Sequence, residues 1–175
     1  SFTLSVWVNK SNNDTYNFFI QKQGGTSPGG QTVMYQIDLR QTTGRVYFQM
    51  RGNGSDNKTE GGTSSDIGQG WHNIIAVRDI VTDKIFIYVD GILQAEINDI
   101  TEGDINPTGD LLIGKGGPYF FDGSIDEVRI YNRALSASEV ATLYNYAPGP
   151  VAYYNFDEGS GTNLYDKSGN NNNSS

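Results

Sequence analysis

Residues 84–97 have the sequence KIFIYVDGILQAEI, and this stretch decides the fold. Apolar runs lie on both sides of the Asp90-Gly91 pair, and apolar and polar side chains alternate from Leu93 to Ile97, which is a pattern of β-strands. An Asp-Gly pair between two such runs favours a type I′ turn, because the twist of that turn matches the twist of a hairpin. The stretch therefore predicts an antiparallel hairpin, with one strand over Lys84–Val89 and the other over Ile92–Ile97.

The rest of the chain repeats this pattern of short strands and tight turns. The opening strand is apolar at every second position from Phe2 to Val8, which predicts that one of its faces is buried. One short helix is expected near 136–145, because Ser136 and Glu139 have the spacing of a capping box. Many short strands with a single helix predict an all-β, two-sheet antiparallel jelly-roll sandwich. Further strands are expected over Asn17–Gln23, Val33–Arg40, Arg45–Arg51, Trp71–Arg78, Asp110–Gly114 and Gly123–Tyr131.

Composition excludes several classes of partner. The chain has 175 residues, about one domain, and a formal net charge of −8. An acidic surface repels both a phosphate backbone and an anionic bilayer, so nucleic acid is not an expected partner. No apolar stretch approaches the roughly 20 residues of a membrane span, so insertion into a membrane is not expected either. The chain has no cysteine, which leaves neither disulfides nor a cysteine zinc site available.

Three segments of the chain carry a resemblance to a known family. They are Ser1–Val8, the Trp71–Val77 strand with its Tyr88–Gly91 partner, and Phe121–Ser136, which is the most specific of the three. Together they resemble the laminin-G-like, concanavalin A-like jelly-roll domain that occurs in tandem in secreted microbial proteins. The resemblance covers essentially the whole chain, and it implies a module that is secreted or displayed at the cell surface.

The chain is expected to divide into three parts near Pro148. A laminin-G-like sandwich spans 1–147, a Pro/Gly linker spans 148–150, and 151–175 holds a strand at Val151–Phe156 and an Asn-rich tail. In the family that the chain resembles, such a terminal segment opens the domain, ahead of the first strand. Here it is either the start of the next repeat, or a permuted or exchanged strand that completes the sandwich. It would then dock on the Gly123–Tyr131 region, within the chain or on a neighbouring copy.

The sequence does not predict an enzyme. Laminarinase-type glucanases share this sandwich, but they need carboxylates that alternate on one strand face in a Glu-x-Asp-x-x-Glu pattern. That pattern is absent, and the adjacent Asp126 and Glu127 would point to opposite faces of a strand. His72 is the only histidine and lies within a predicted strand, so we expect it to be structural.

A structural calcium ion is the one cofactor that the sequence suggests. Asp166, Ser168 and Asn170 place oxygen ligands at alternate positions, as calcium loops do. Asp157 precedes a Gly-Ser-Gly turn that would bring it to the same end of the sandwich, and the resemblance adds Asp126 from the neighbouring strand. The alternative is that these residues occupy turns because they hydrogen-bond their own backbone. A second acidic loop, Asp99–Asp104 with Glu102, is a weaker calcium candidate, and we expect it to be a solvated turn.

Exposed aromatic rings would indicate a glycan-binding surface. Tyr119 and Phe120 follow a flexible Gly-Gly-Pro segment and are the candidate ligand-binding residues. The alternative is that Phe121 and Tyr119 pack inward as the next strand begins. Trp7 and Trp71 lie within predicted strands and are expected in the core.

The predicted function is that of a non-catalytic extracellular module, and such a module could act in two ways. It would bind a glycan or an extracellular protein, or it would form a repeat unit of an adhesin or surface filament in which copies join head to tail. The alternative is a carbohydrate-binding module of a larger glycoside hydrolase or sialidase, and a stand-alone glucanase comes third. Asn-x-Ser/Thr triplets, the acceptor pattern of N-glycosylation, stand at Asn9, Asn13, Asn53, Asn57, Asn172 and Asn173, and the alternative is that they arise by chance in an Asn-rich chain.

Overall fold

The computed structural model describes residues 1–11, 16–27, 30–52, 57–103, 105, 108–146, 165 and 173. Within these residues lie twelve strands and one helix. The strands are β1 (Phe2–Lys10), β2 (Asn17–Ser27), β3 (Gly30–Leu39), β4 (Val46–Arg51), β5 (Lys58–Gly62), β6 (Trp71–Asp79), β7 (Lys84–Val89), β8 (Ile92–Asn98), β9 (Leu111–Ile113), β10 (Lys115–Gly116), β11 (Tyr119–Phe120) and β12 (Gly123–Tyr131), and the helix is α1 (Ala137–Asn145).

The strands form two five-stranded antiparallel sheets. The first sheet has the order β12-β1-β6-β7-β8 and the second has the order β5-β4-β3-β2-β9. A small hairpin of β10 and β11 stands beside the second sheet. The sheets pack face to face around one apolar core, which includes Leu4, Phe19, Ile37, Phe48 and Ile87. This architecture confirms the predicted jelly-roll sandwich.

The hairpin of residues 84–97 forms as its local chemistry predicts. Ile85 lies opposite Ile97 and Val89 lies opposite Ile92. The two turn residues, Asp90 and Gly91, have φ angles of 52° and 75°, and a type I′ turn requires positive φ at both. The carboxylate of Asp90 also ties the turn to β6, since it accepts from the backbone N–H of Asn73 at 2.9 Å and lies 2.7 Å from His72 Nδ1. These contacts join His72 to the turn of the hairpin, and that its role is structural stays a prediction.

Strand β1 is buried on both of its faces, so the prediction of a half-buried strand is wrong. Its inward residues lie in the core, but Thr3 and Ser5 on the other face are only 0% and 2% exposed. The covering element comes from far along the chain, because the hydroxyl of Thr3 donates to the carbonyl of Arg133 at 2.9 Å and accepts from the backbone N–H of Leu135 at 3.0 Å. Leu135 and the helix then form a second apolar cluster with β6 and β7.

Helix α1 begins with the predicted capping box. The hydroxyl of Ser136 accepts from the backbone N–H of Glu139, and the carboxylate of Glu139 accepts from the backbone N–H of Ser136. Val140 is the fully buried residue of the helix, and it packs on the outer side of the first sheet. Trp7 stacks on Tyr144 of the helix with ring centroids 5.8 Å apart. Trp7 therefore lies under the helix rather than in the core between the sheets.

Two sequence expectations about individual residues are corrected by the structure. Trp71 is 46% exposed rather than a core residue, because it is the first residue of β6 and lies at the end of the sheet. The side chain of Asp99 is not solvated, since it is only 4% exposed, whereas Glu102 of the same loop is exposed as predicted. Burial raises the pKa of Asp99, but hydrogen bonds from Thr101 and Arg78 outweigh burial and hold that pKa below its ordinary value.

Candidate functional site

The second sheet has a polar face on the side away from the core. In β4, Val46, Phe48 and Met50 are buried in the core while the residues between them point outward, as the alternation predicts. In β3, Ile37 belongs to the core and its neighbours Gln36 and Asp38 lie on the outward side. A row of polar side chains therefore crosses this face from strand to strand.

Three glutamines and one aspartate on this face form a continuous ladder of hydrogen bonds. Gln21 Nε2 donates to Gln36 Oε1 at 2.9 Å, and Gln36 Nε2 donates to Asp38 Oδ1 at 2.8 Å. Gln23 Nε2 makes a longer contact of 3.5 Å with Gln21 Oε1. All four side chains belong to residues between 1% and 7% exposed. Because an ionised carboxylate can only accept, Asp38 fixes the direction in which the amides point.

Charged groups continue the row beyond Asp38. Arg40 Nε lies 2.9 Å from Asp38 Oδ2 and Arg40 Nη2 lies 3.0 Å from Glu60 Oε2. Neither nitrogen has hydrogen-bond geometry, so both contacts are ion pairs. The guanidinium also lies over the ring of Tyr47, 4.4 Å from its centroid. Burial raises the pKa of Asp38 to about 6, although the nearby Arg40 charge lowers it.

A cleft of about 250 Å³ opens at the glutamine end of the ladder. Tyr119 stands at this cleft with 47% of its surface exposed, and its ring is stacked 6.3 Å from the ring of Phe18. Gly116 is required here, because a Cβ at that position would lie 2.3 Å from the Phe18 ring. The described residues that line the cleft are Phe18, Gln21, Gln23, Val33, Gln36, Gly116, Gly117, Pro118 and Tyr119.

The β10–β11 hairpin separates the two aromatic residues that the sequence singled out. Its turn has positive φ at Gly117 (56°) followed by Pro118, which matches a type II′ turn. Tyr119 and Phe120 are adjacent on β11 and therefore point to opposite sides of the hairpin. Tyr119 lines the cleft, whereas Phe120 is 66% exposed and lies against Lys115, whose Nζ is 5.2 Å from the ring centroid.

Phe121 alone of this aromatic run packs inward, with its ring edge-on to Phe19 at 5.2 Å. The exposure that sugar stacking requires is thus present at Tyr119 and Phe120, and only Tyr119 stands at the cleft. Binding of a ligand by either residue remains a prediction.

The proposed calcium ligands are not brought together by the described part of the chain. Asp126 is exposed on β12, and its Oδ1 accepts from the backbone N–H of Glu127 at 2.8 Å. Asp157, Asp166, Ser168 and Asn170 lie outside the described residues. Among the residues that are described, no group of three His, Asp or Glu side chains is placed to hold a metal ion. Calcium binding therefore remains a prediction.

The predicted glycosylation sites are placed in part. Asn9 is half-buried within β1, opposite Ser124 of β12, and Asn57 is exposed just before β5. Asn13 and Asn53 lie outside the described residues, as do Asn172 of the tail, the 148–150 linker and the Val151–Phe156 strand. Asn173 is described and exposed. The proposed division of the chain is therefore also untested.

Sequence reasoning missed the glutamine ladder and the role of Phe18. A signal was present, since Gln21 and Gln23 in β2 and Gln36 and Asp38 in β3 recur at every second position. Alternation of this kind predicts a polar outward face. It does not predict that the side chains on that face are buried and bonded to one another.

Comparison with known proteins agrees with this architecture. Residues 1–141 match the family model described as the concanavalin A-like lectin/glucanases superfamily. The chain is 27% identical over 150 residues to the Adhesion G-protein coupled receptor V1 of Danio rerio. The aligned region covers 83% of the chain but only 2% of the receptor.

Two solved structures illustrate the likeness of the fold. The CBM40 module of the Ruminococcus gnavus IT-sialidase superposes on this chain with a TM-score of 0.69 at 16% sequence identity, and the alignment covers 82% of each chain. The same module has also been solved bound to α2,3-sialyllactose. Domain 4 of the extracellular arabinanase AbnA of Geobacillus stearothermophilus, in complex with arabinotriose, has a TM-score of 0.57 at 22% identity and covers 82% of this chain and 66% of that one. In the described part of the present chain, no helix is long and apolar enough to cross a membrane.

Proposed function

The chain belongs to the concanavalin A-like lectin/glucanases superfamily, and from this membership we propose that it is a non-catalytic extracellular module that binds a glycan in the cleft lined by Phe18 and Tyr119. The observation that carries the proposal is the exposed ring of Tyr119 beside a row of oriented amides. An aromatic ring packs on the C–H face of a sugar, and amides pair with its hydroxyl groups. A largely apolar cleft with a few placed polar groups is the usual form of a small-ligand site.

The same cleft argues against hydrolysis. Glycosidases place two carboxyl groups on either side of the scissile bond, roughly 5 to 10 Å apart. Among the described lining residues of the cleft there is no carboxylate. Asp38 is the carboxylate that ends the ladder, and it is 1% exposed and paired with Arg40. We therefore propose binding without turnover, whether the module acts alone in adhesion or is attached to a larger glycoside hydrolase or sialidase. The sugar complexes of the related sandwiches support this use of the fold.

Replacing Tyr119 with alanine is expected to weaken glycan binding about tenfold, which is about 1.4 kcal/mol. The reason is the loss of the exposed ring at the cleft, while the core residue Phe121 remains in place. The ligand would be identified on a glycan array, and its dissociation constant would then be measured by calorimetry. Phe120→Ala is the matched control, because it removes a neighbouring exposed ring on the opposite side of the hairpin. Equal losses in the two variants would reject the cleft as the binding site.

A second candidate function, assembly of copies into a larger array, is favoured by the edge of the first sheet. Within the described residues, β12 is paired by β1 on one side and by no strand on the other. A groove of about 620 Å³ beside it is lined by Phe2, Tyr35 and Ile130, among others, and Ile130 is 48% exposed. An open strand edge accepts an extended segment through backbone hydrogen bonds. The proposed occupant is the Val151–Phe156 segment, supplied by a neighbouring copy.

Deletion of residues 151–175 is expected to abolish assembly and leave a folded monomer. Oligomeric state would be measured by light scattering and folding by thermal unfolding. Deletion of 166–175 is the matched control, because it shortens the tail and keeps the proposed strand. A truncated protein that no longer folds would instead show that the segment docks within its own chain. If assembly and stability are both unchanged, the segment has no docking role and the proposal is wrong.

A further inference from the structure

We propose that the glycan held by the cleft is an uncharged oligosaccharide, an inference that rests on the proposed function of that cleft. The first observation is the chemistry of the lining. Its described polar side chains are the amides of Gln21, Gln23 and Gln36 and the phenol of Tyr119, and none of the described lining residues carries a formal charge at neutral pH. The rest of the described lining is apolar or glycine.

Three cations on the neighbouring strands and on the hairpin have partners outside the described lining of the cleft. Lys22 lies between two ladder glutamines in sequence, but its ammonium donates to the carbonyl of Gly109 at 2.5 Å. Lys115 stands on the other side of the hairpin, against Phe120. Arg40 is held between Asp38 and Glu60. A ligand carboxylate that entered the cleft would lose its hydration and would meet no cation among the described lining residues. Burying an unpaired charge in this way is strongly unfavourable.

The ladder itself is suited to hydroxyl groups. In Gln21 the ladder uses one of the two amide N–H groups and one of the two lone pairs of the carbonyl oxygen. An amide therefore offers both a donor and an acceptor, and a sugar hydroxyl needs both. An anionic group can only accept. The net charge of the protein, −8, would also repel it.

The test compares matched pairs of glycans that differ only in one acidic sugar, such as lactose with 3′-sialyllactose, alongside neutral arabinotriose. Binding would be measured by calorimetry at low and high salt, on the whole chain and on Tyr119→Ala. We expect a neutral member to bind at least tenfold more tightly than its acidic partner, with an affinity that salt does not change. Tighter binding of the acidic member, lost in Tyr119→Ala, would overturn this inference and keep the cleft as the site. If the protein bound none of the neutral or acidic glycans of an array, that result would overturn the proposed function as well.

A pair of variants tests the amides directly. Gln23→Leu removes an amide that lines the cleft, and Gln49→Leu makes the same change on the same face of the sheet, on β4, outside the described lining. We expect Gln23→Leu to weaken binding of the neutral glycan about tenfold and Gln49→Leu to leave it unchanged. Thermal unfolding would establish that both variants are folded. Equal affinities of the two variants would show that the ladder does not contact the sugar and would overturn the inference.

Discussion

Replacing Asp99 with alanine is expected to lower the free energy of unfolding by about 3 to 5 kcal/mol, the loss typical of breaking a buried ion pair. Arg78 Nε donates to Asp99 Oδ2 at 2.6 Å, and the two side chains are only 12% and 4% exposed. The other carboxylate oxygen accepts from the hydroxyl of Thr59 at 2.9 Å and from the backbone N–H of Thr101 at 2.8 Å. Without Asp99, the Arg78 charge and these donors lose their partner inside the protein.

The position of Asp99 explains why replacing it would weaken the contact between the two sheets. Thr59 belongs to β5 at the edge of the second sheet, and Arg78 belongs to β6 in the first sheet. The backbone N–H of Ile100 also donates to the Thr59 hydroxyl at 2.9 Å, so the segment after β8 is tied to β5. Asp99 therefore joins the two layers of the sandwich through side-chain bonds rather than through apolar packing.

Urea unfolding of Asp99→Ala and Glu96→Ala would test this expectation. Glu96 is the matched control, because it pairs with Lys84 at the surface, where both side chains are more than a third exposed. Exposed pairs contribute at most about 1 kcal/mol. The advantage of the wild type over Asp99→Ala should also shrink on acidification below about pH 4, since the lowered pKa of Asp99 stabilises the ionised folded form. Similar losses in the two variants would show that the network around Asp99 does not stabilise the fold.

The features that local sequence predicts correctly are those that depend on neighbouring residues. The Asp90-Gly91 turn needs only two positions that tolerate positive φ, and the capping box of Ser136 needs only a spacing of three. Alternation along β4 likewise predicts which of its residues face the core. Each of these choices agrees with the overall fold, and such agreement is typical of natural sequences.

The features that the sequence could not predict depend on contacts between distant parts of the chain. Thr3 is buried because the backbone of Arg133 and Leu135 crosses it, and Trp7 lies under Tyr144 of the helix. The glutamine ladder is similar in kind, since Gln21 and Gln36 meet only after β2 and β3 pair. Periodicity assigns a side chain to one face of a strand. It does not reveal what covers that face, and the cleft depends on such covering by the β10–β11 hairpin.

Asp38→Asn is expected to gain stability relative to the wild type as the pH rises from 4 to 7, by up to about 3 kcal/mol. Burial raises the pKa of Asp38 from 3.8 to about 6, although Arg40 and Gln36 lower it. The folded protein thus holds this proton more tightly than the unfolded chain does. Ionising Asp38 therefore costs stability between about pH 4 and pH 6, and the difference between a pKa of 3.8 and a pKa of about 6 corresponds to about 3 kcal/mol. Asparagine cannot ionise, and its side-chain oxygen can still accept from Gln36.

The expected gain links the stability of the fold to the binding face. The ionised form of Asp38 is the form that can only accept, and it therefore keeps the amides of the ladder pointing in one direction. The ionised Asp38 of the wild type therefore orients the ladder at neutral pH but lowers the stability of the fold. Asp38→Asn should be more stable than the wild type at neutral pH, and it should bind its glycan less tightly because its amide does not fix the direction of the ladder. Unfolding by urea at pH 4, 5, 6 and 7 measures the stability difference, and in that difference the titration of groups that do not interact with residue 38 cancels.

Glu60→Gln is the matched control for this pH series, because Glu60 contacts the same Arg40 on the same face. Burial raises the pKa of Glu60, but its contacts with Lys58 and Arg40 outweigh burial and lower that pKa from its ordinary value. The ionised form of Glu60 therefore stabilises the fold, and Glu60→Gln should lose stability relative to the wild type as the pH rises through about 4. The two variants should thus change in opposite directions over the series. A stability difference between Asp38→Asn and the wild type that stays constant from pH 4 to 7 would show that Asp38 ionises as readily in the folded protein as in the unfolded chain, and the ladder would then impose no cost.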